Sequence, residues 1–200
     1  AILVVAGDVK PDDVLAMANK HYGPLSPSDK IKPRLRPIEP PQLAERRMVM
    51  RDERVAQPYV ARTYLAPERN TGDQSEAAAL TVLAELLGGA GTTSVLTRAL
   101  QFDTQVAVYS TASYRDVSLD PDTFGLVVVP AEGISLADAE AAMDKVIAKF
   151  LTDGPAPEDF ARIKTQVRAG EIYARDSADG LARNYGAALA SGLTVQDVQD

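Results

Sequence analysis

This sequence has no cysteine, no tryptophan and a single histidine. Without cysteine there is no disulfide and no thiolate metal site. That absence does not choose a compartment, so periplasm and cytoplasm both stay open. The one histidine, His21, would have to serve any Ser-His-Asp triad, and no nucleophile elbow accompanies it. A zinc site would have to complete its ligands with carboxylates. His21 falls in the last turn of an expected helix, where a cation is mildly favoured, and a surface position is the plain reading. No apolar run reaches the roughly 20 residues that cross a bilayer. Positive charge is short as well: 21 Lys and Arg stand against 28 Asp and Glu, for a net charge of -7. Nucleic acid needs a basic face to meet its phosphates, so this balance argues against such a partner.

What is present is ordinary globular material. Over 200 positions, 46% of residues are hydrophobic and 24% charged, enough for one large domain or one domain with a fragment of another. Residues 2–6 are a short apolar run expected to form a core strand. Gly7 and Asp8 break it, and Pro11, Asp12 and Asp13 suit the first turn of a helix. Val14, Leu15, Ala18 and Tyr22 share one helical face, and Gly23-Pro24 closes this βα unit. Residues 25–45 are rich in proline and charge, lack an apolar period, and read as an extended linker. Both chain ends read as interior structure, so a longer parent protein is expected.

The runs at 47–51 and 59–65 alternate and are rich in strand formers, so both are expected strands. Asp73 or Ser75 can cap a helix to about Leu87 that buries Ala79, Leu80, Leu83, Leu86 and Leu87. Two further strands, 106–114 and 124–129, flank a hairpin-type loop. Ser135 and Asp138 form a capping-box pattern before a helix burying Leu136, Ala139, Met143, Val146, Ile147 and Phe150. Pro157 opens another helix with Phe160, Ile163, Val167 and Ile172 inward, and a last helix ends near Gly192. Because strands come in adjacent pairs, the expected fold class is α+β: an antiparallel or mixed sheet with helices packed on one face.

Three stretches invite a chemical reading. The glycine-rich "LLGGAGTTSVL" at 86–96 has the residue types of a phosphate loop. However, no Lys follows its last glycine, and it follows a helix rather than a strand. A helix stop at Gly88 and Gly89, with Thr92 or Thr93 capping a short helix that carries Val95, Leu96 and Leu100, explains it better. Asp8, Asp12 and Asp13 could resemble an acidic metal pocket, but aspartates at a helix start are far more often caps. Tyr109 and Tyr114 are an odd number of residues apart on one strand, so one faces the core and the other is free for a ligand or for packing. No paired carboxylates, nucleophile motif or ligand cluster stands out.

Several stretches together resemble a known family. "ILVVAGDVKPDDVLAMANKHYGPL" resembles the βα unit that closes a domain in pitrilysin- and insulinase-type zinc peptidases, the superfamily of the mitochondrial processing peptidase. "AALTVLAELLGGAGTTSVLTRAL" resembles that family's helix–glycine loop–helix, and "VAVYSTASY" its next strand. "FGLVVVPAEGISLADAEAAMDKVI" and the helical run from "IKTQVRAGE" to "AALASG" follow in the same order. The resemblance implies repeated α+β domains forming two facing halves around a chamber, one half carrying the inverted zinc motif H-x-x-E-H. That motif is absent here, so the chain resembles the C-terminal non-catalytic domain of a bacterial zinc protease.

On that resemblance, residues 1–24 are the closing strand-helix unit of the preceding domain and 25–45 the linker. Residues 46–200 are the non-catalytic domain, short of its C-terminal end. No activity is expected of this segment alone. The parent protein or complex is expected to be a zinc-dependent metalloendopeptidase, with no cofactor here and zinc in its catalytic half. Implied partners are an H-x-x-E-H domain or subunit and a peptide substrate, with no nucleic acid and no membrane span. Residues 2–22 are further expected to fill a vacancy in an incomplete sheet, either within the chain or by exchange between two copies in a homodimer. Catalytic relatives supply an Arg from the helix after the glycine loop and a Tyr from the next strand, and both help bind substrate. The Arg position falls on Gln101, one helical turn after Arg98, and the Tyr position on Val108, beside Tyr109. Tyr109, Arg98 and Gln101 are therefore the candidate substrate-binding residues, with none catalytic. The alternative is an assembly or scaffold domain that docks to a catalytic subunit without touching substrate.

Overall fold

A computed structural model describes residues 2–32 and 34–199. Ala1, Pro33 and Asp200, in the first, linker and last expected segments, lie outside the described residues. Alternation of inward apolar and outward small or polar side chains builds three strands: β1 (Val60–Ala66), β2 (Ala107–Tyr114) and β3 (Asp122–Pro130). They pair antiparallel in the order β1-β3-β2. β3 is central, and its inward residues Phe124, Leu126 and Val128 meet Ala112 of β2 and the helices. Leu96, Leu100, Val128 and Met143 are each 1% exposed or less. Burying a side chain of this size contributes about 1.5–3 kcal/mol relative to leaving it in water.

Helices supply the other half of the core. α1 (Pro11–Tyr22) stands apart from it, with no buried residue. α2 (Ser75–Ala84) runs into a π-helical turn, Glu85–Gly89, closed by Ala90 N–H to the Glu85 carbonyl at 3.0 Å. A short 3₁₀ turn, Gly91–Thr93, leads to α3 (Val95–Thr97), which widens into a second π-helical stretch, Arg98–Asp103. α4 (Leu136–Asp153) starts at Ser135, whose Oγ accepts from Asp138 N–H at 3.1 Å and donates to the Asp138 carboxylate at 2.6 Å. α5 (Pro157–Ala174), α6 (Ala178–Ser191) and α7 (Val195–Gln199) follow. The fold is α+β, and no described helix is long and apolar enough to cross a membrane.

The helices cover one face of the sheet. On the other face lie Ala61, Thr63 and Leu65 of β1, Thr123, Gly125, Val127 and Val129 of β3, and Tyr109, Thr111 and Ser113 of β2. Every one of them is half-buried or exposed.

Several expectations fail, each for a physical reason. Residues 2–6 and 47–51 join no ladder and are exposed; β propensity alone does not make a strand without cross-strand pairing. On the helical face of Val14, Leu15, Ala18 and Tyr22, Val14 and Ala18 are only half-buried, and Leu15 and Tyr22 are both exposed. Ala79, Leu136, Phe160 and Ile172 are exposed as well, because their helices meet the core over a narrower arc than the apolar stripe suggests. Gly88 and Gly89 do not stop the helix, since both lie within the π-helical turn. The left-handed turn falls at Gly91, with φ +60°, and Ser94 rather than Thr92 or Thr93 precedes the next helix.

Gly88 has a different duty. A Cβ there would sit 1.9 Å from the main-chain N of Ala112 and 2.5 Å from the carbonyl carbon of Thr111. Only a residue without a side chain lets this turn lie against β2.

Candidate functional site

The three candidate residues occupy different settings. Arg98 begins the second π-helical stretch and is spent on α5: it pairs with the buried Asp159, which also accepts from Arg162 at 2.8 Å. Arg162, then Arg98, hold the Asp159 carboxyl below its ordinary range. Asp159 is therefore a carboxylate bridging two helices, with one Arg98 nitrogen engaged in the pair.

Gln101 and Tyr109 both lie at β2, one against its edge and the other on its face. β2 carries a bulge at Val108, between the pairs Ala107–Pro130 and Tyr109–Val129. The extra residue interrupts the ladder; beyond it the unbroken alternation puts Tyr109 on the uncovered face, 51% exposed, and turns Tyr114 inward. Tyr114 stacks on Phe124 at 6.5 Å between ring centres and donates its hydroxyl to the Pro67 carbonyl at 2.5 Å. On the side of β2 away from β3, the Gln101 carboxamide meets the strand. The Ser110 N–H is a donor and must face an oxygen, so Oε1 points to Ser110 and accepts from its N at 2.9 Å and its Oγ at 3.0 Å. Nε2 then donates to the Val108 carbonyl at 3.3 Å. Ser94, Thr97 and Ser110, all buried, line the space behind this contact, and Ser94 Oγ donates to Thr97 Oγ1 at 2.9 Å.

A second polar cluster escaped the sequence reading. Glu140 of α4 is buried, and Arg47 and Arg62 reach it from the chain before β1 and from β1 itself. Arg62 also bonds Asp144, whose carboxyl is thereby held below its usual range. A buried carboxylate needs such partners, because unpaired it would be costly. The available signal was an acid on an otherwise apolar stripe, next to Ala139 and one turn before Met143. Arg36 similarly bonds Asp120 at 2.9 Å, so residues 25–58 touch the domain at discrete points.

Neither the glycine loop nor the acidic run makes a site. Asp8, Asp12 and Asp13 are exposed around the start of α1, and His21 is exposed near its end. Among the described residues, no three His, Asp or Glu side chains gather as a metal would require.

Among the described residues the domain is α+β, with helices packed on one face of its three-stranded sheet. The chain belongs to the family described as peptidase M16 inactive domain, which matches residues 1–167. No curated protein sequence matches it. Among solved structures, a protease from Helicobacter pylori superposes with a TM-score of 0.82 at 21% identity, over 96% of this chain and 49% of that one. The periplasmic protease PqqL from Escherichia coli gives 0.75 at 17% identity, over 96% of this chain and 22% of that one. The inactive peptidase domain of a Bordetella parapertussis protein gives 0.59 at 17% identity, over 74% and 81%. At these identities the likeness establishes the fold. The chain spans about half the length of the Helicobacter pylori protease and less of PqqL.

Proposed function

We propose that this inactive peptidase domain is one wall of a peptide chamber whose zinc-bearing half is another domain or subunit. The observation that carries the reading is the uncovered sheet face, on which Tyr109 stands among Thr63, Thr111, Ser113 and Thr123. Such a face offers hydroxyl groups and small apolar side chains to an extended peptide laid across it. The outer edge of β1 has no main-chain partner among the described residues, so a peptide has a place to pair by strand addition. The domain's part is enclosure and contact, while bond cleavage belongs to the partner.

Reconstitution with an H-x-x-E-H partner tests this. The chain alone, supplied with zinc, shows no peptide turnover. With the partner present, a photoreactive peptide cross-links to Tyr109 and its neighbours. Chelator-sensitive cleavage by the isolated chain would refute the proposal. A stable partner complex with no peptide contact on this face would favour a scaffold role, for which the exposed Leu15, Met17 and Tyr22 of α1 offer a docking surface.

A further inference from the structure

The two edges of the sheet are not equivalent. Along β1 the outer main-chain groups have no partner among the described residues. Along β2 they are covered. The Gly88 turn lies against Ala112 N, so closely that a methyl group would not fit between them. One residue pair further along, the Gln101 carboxamide accepts from Ser110 N–H and donates to the Val108 carbonyl.

These last two groups are what a neighbouring strand would use. In a parallel ladder, one residue of the incoming strand donates its N–H to the carbonyl of residue i−1 and accepts from the N–H of residue i+1. With i set at Tyr109, the pair is the Val108 carbonyl and the Ser110 N–H. A primary carboxamide carries the same donor and acceptor as a peptide unit, so Gln101 can stand in for one residue of that strand. We infer that Gln101 is an internal strand mimic that closes the β2 edge to extended peptides.

The side chain is well placed for this. It is half-buried, projects from a π-helical stretch whose wider turn brings it to the bulge, and is backed by the buried hydroxyls of Thr97 and Ser110. Edge strands are a standing hazard for unwanted pairing, and β2 is among the most exposed to it: its outward Val108 and Tyr109 are 53% and 51% exposed. A consequence follows for the chamber, and this part rests on the function proposed above. Peptide meets β2 through side chains such as Tyr109, and main-chain pairing is left to β1. The residue at the position where catalytic relatives would present an Arg is turned back onto its own backbone.

Amide hydrogen exchange on the whole chain tests the mimic without any protease partner. In the wild type, the Ser110 amide is protected although it lies on an edge strand. In Gln101→Ala it exchanges about tenfold faster, the change that one net hydrogen bond carries. The Val128 amide on the central strand serves as the check that the fold is intact. Gln101→Glu retains the acceptor and keeps Ser110 protected while losing the bond to Val108. A peptide copying residues 122–130, a sequence that β2 is already shaped to pair with, is then presented with a photoreactive end. It cross-links to residues 107–114 in Gln101→Ala and not in the wild type. An unprotected Ser110 amide in the wild type, unchanged protection in Gln101→Ala, or equal cross-linking in both proteins would overturn the inference. None of these readouts depends on a chamber, so the two proposals can fail separately.

Discussion

Two apolar runs of nearly the same chemistry meet opposite fates in this chain. "ILVV" at 2–5 and "LVVV" at 126–129 differ in little but neighbours, yet Leu3 and Val5 are 56% and 46% exposed while Leu126 and Val128 are 4% and 0%. The second run has β1 on one side, β2 on the other and α4 above. The first has no ladder. The same contrast extends to whole regions. Residues 2–58 hold a helix without a buried residue and a long exposed segment tied down by Arg36 and Arg47. Residues 60–199 hold the core. Strand propensity is thus realised only where another strand completes the hydrogen bonding, and burial follows pairing rather than composition.

If the core region owes its order to close mutual packing, a single atom in the wrong place there should be costly. Gly88→Ala is the largest expected effect. The added methyl would meet Ala112 N at 1.9 Å, and both partners are backbone, so the turn and β2 must separate. A loss of about 3 kcal/mol, the upper part of the range for overpacking, is expected. In thermal melts that is a fall of about 6–12 °C for a chain of this size. A melting temperature within about 2 °C of the wild type would mean that the turn and the strand are not packed as described.

That glycine also shows where sequence reasoning reached its limit. The helix, glycine turn, helix and strand order was legible, as were α4 with its Ser135 cap and the hairpin of β2 and β3, because each is signalled by neighbours a few residues apart. The duty of Gly88 was not. Nothing local distinguishes a glycine that turns left-handed from one that admits a strand 24 positions later in the chain, and of Gly88, Gly89 and Gly91 only Gly91 has a positive φ. Glu140 was likewise hidden, since its partners Arg47 and Arg62 are separated from it by 93 and 78 positions. At the candidate site, the inside–outside split of Tyr114 and Tyr109 followed from parity. The bulge at Val108 and the return of Gln101 to its own strand did not, because both depend on how a π-helical stretch is placed against an edge.

A medium effect tests how the end of the core region is fastened. Asp197 of α7 is buried and accepts from the Thr194 hydroxyl at 2.6 Å and its main-chain N–H at 2.7 Å, with Gly72 N–H at 3.3 Å. The Thr194 hydroxyl first, then its N–H, hold this carboxyl down to about 2. A carboxyl lowered in the folded state contributes stability that is fully present above its unfolded value of 3.8 and is lost as pH falls toward about 2. The contact of α7 with the loop before α2 should therefore weaken across that acid window and be indifferent to pH above it. Thr194→Val removes one donor at nearly constant size, and should raise the midpoint by on the order of one unit. The Gly72 and Thr194 amide shifts, followed by NMR from pH 5 to 2, report both midpoints. Coincident curves for the two proteins would remove Thr194 as the cause.

The smallest expected effect completes the comparison from the other side. Met48 lies in the run "RMVMR", which has the alternation of a strand but no ladder, and it is 91% exposed. Its apolar surface is already in water in the folded chain, so little burial is left for a substitution to remove. Met48→Ser should accordingly change stability by no more than about 0.5 kcal/mol, the range for surface positions away from special features. Denaturant unfolding of the whole chain measures this directly through the midpoint at constant slope. A loss comparable to that of Gly88→Ala would show that residues 47–51 are packed after all, and the division of the molecule into an unpaired half and a paired half would fall with it.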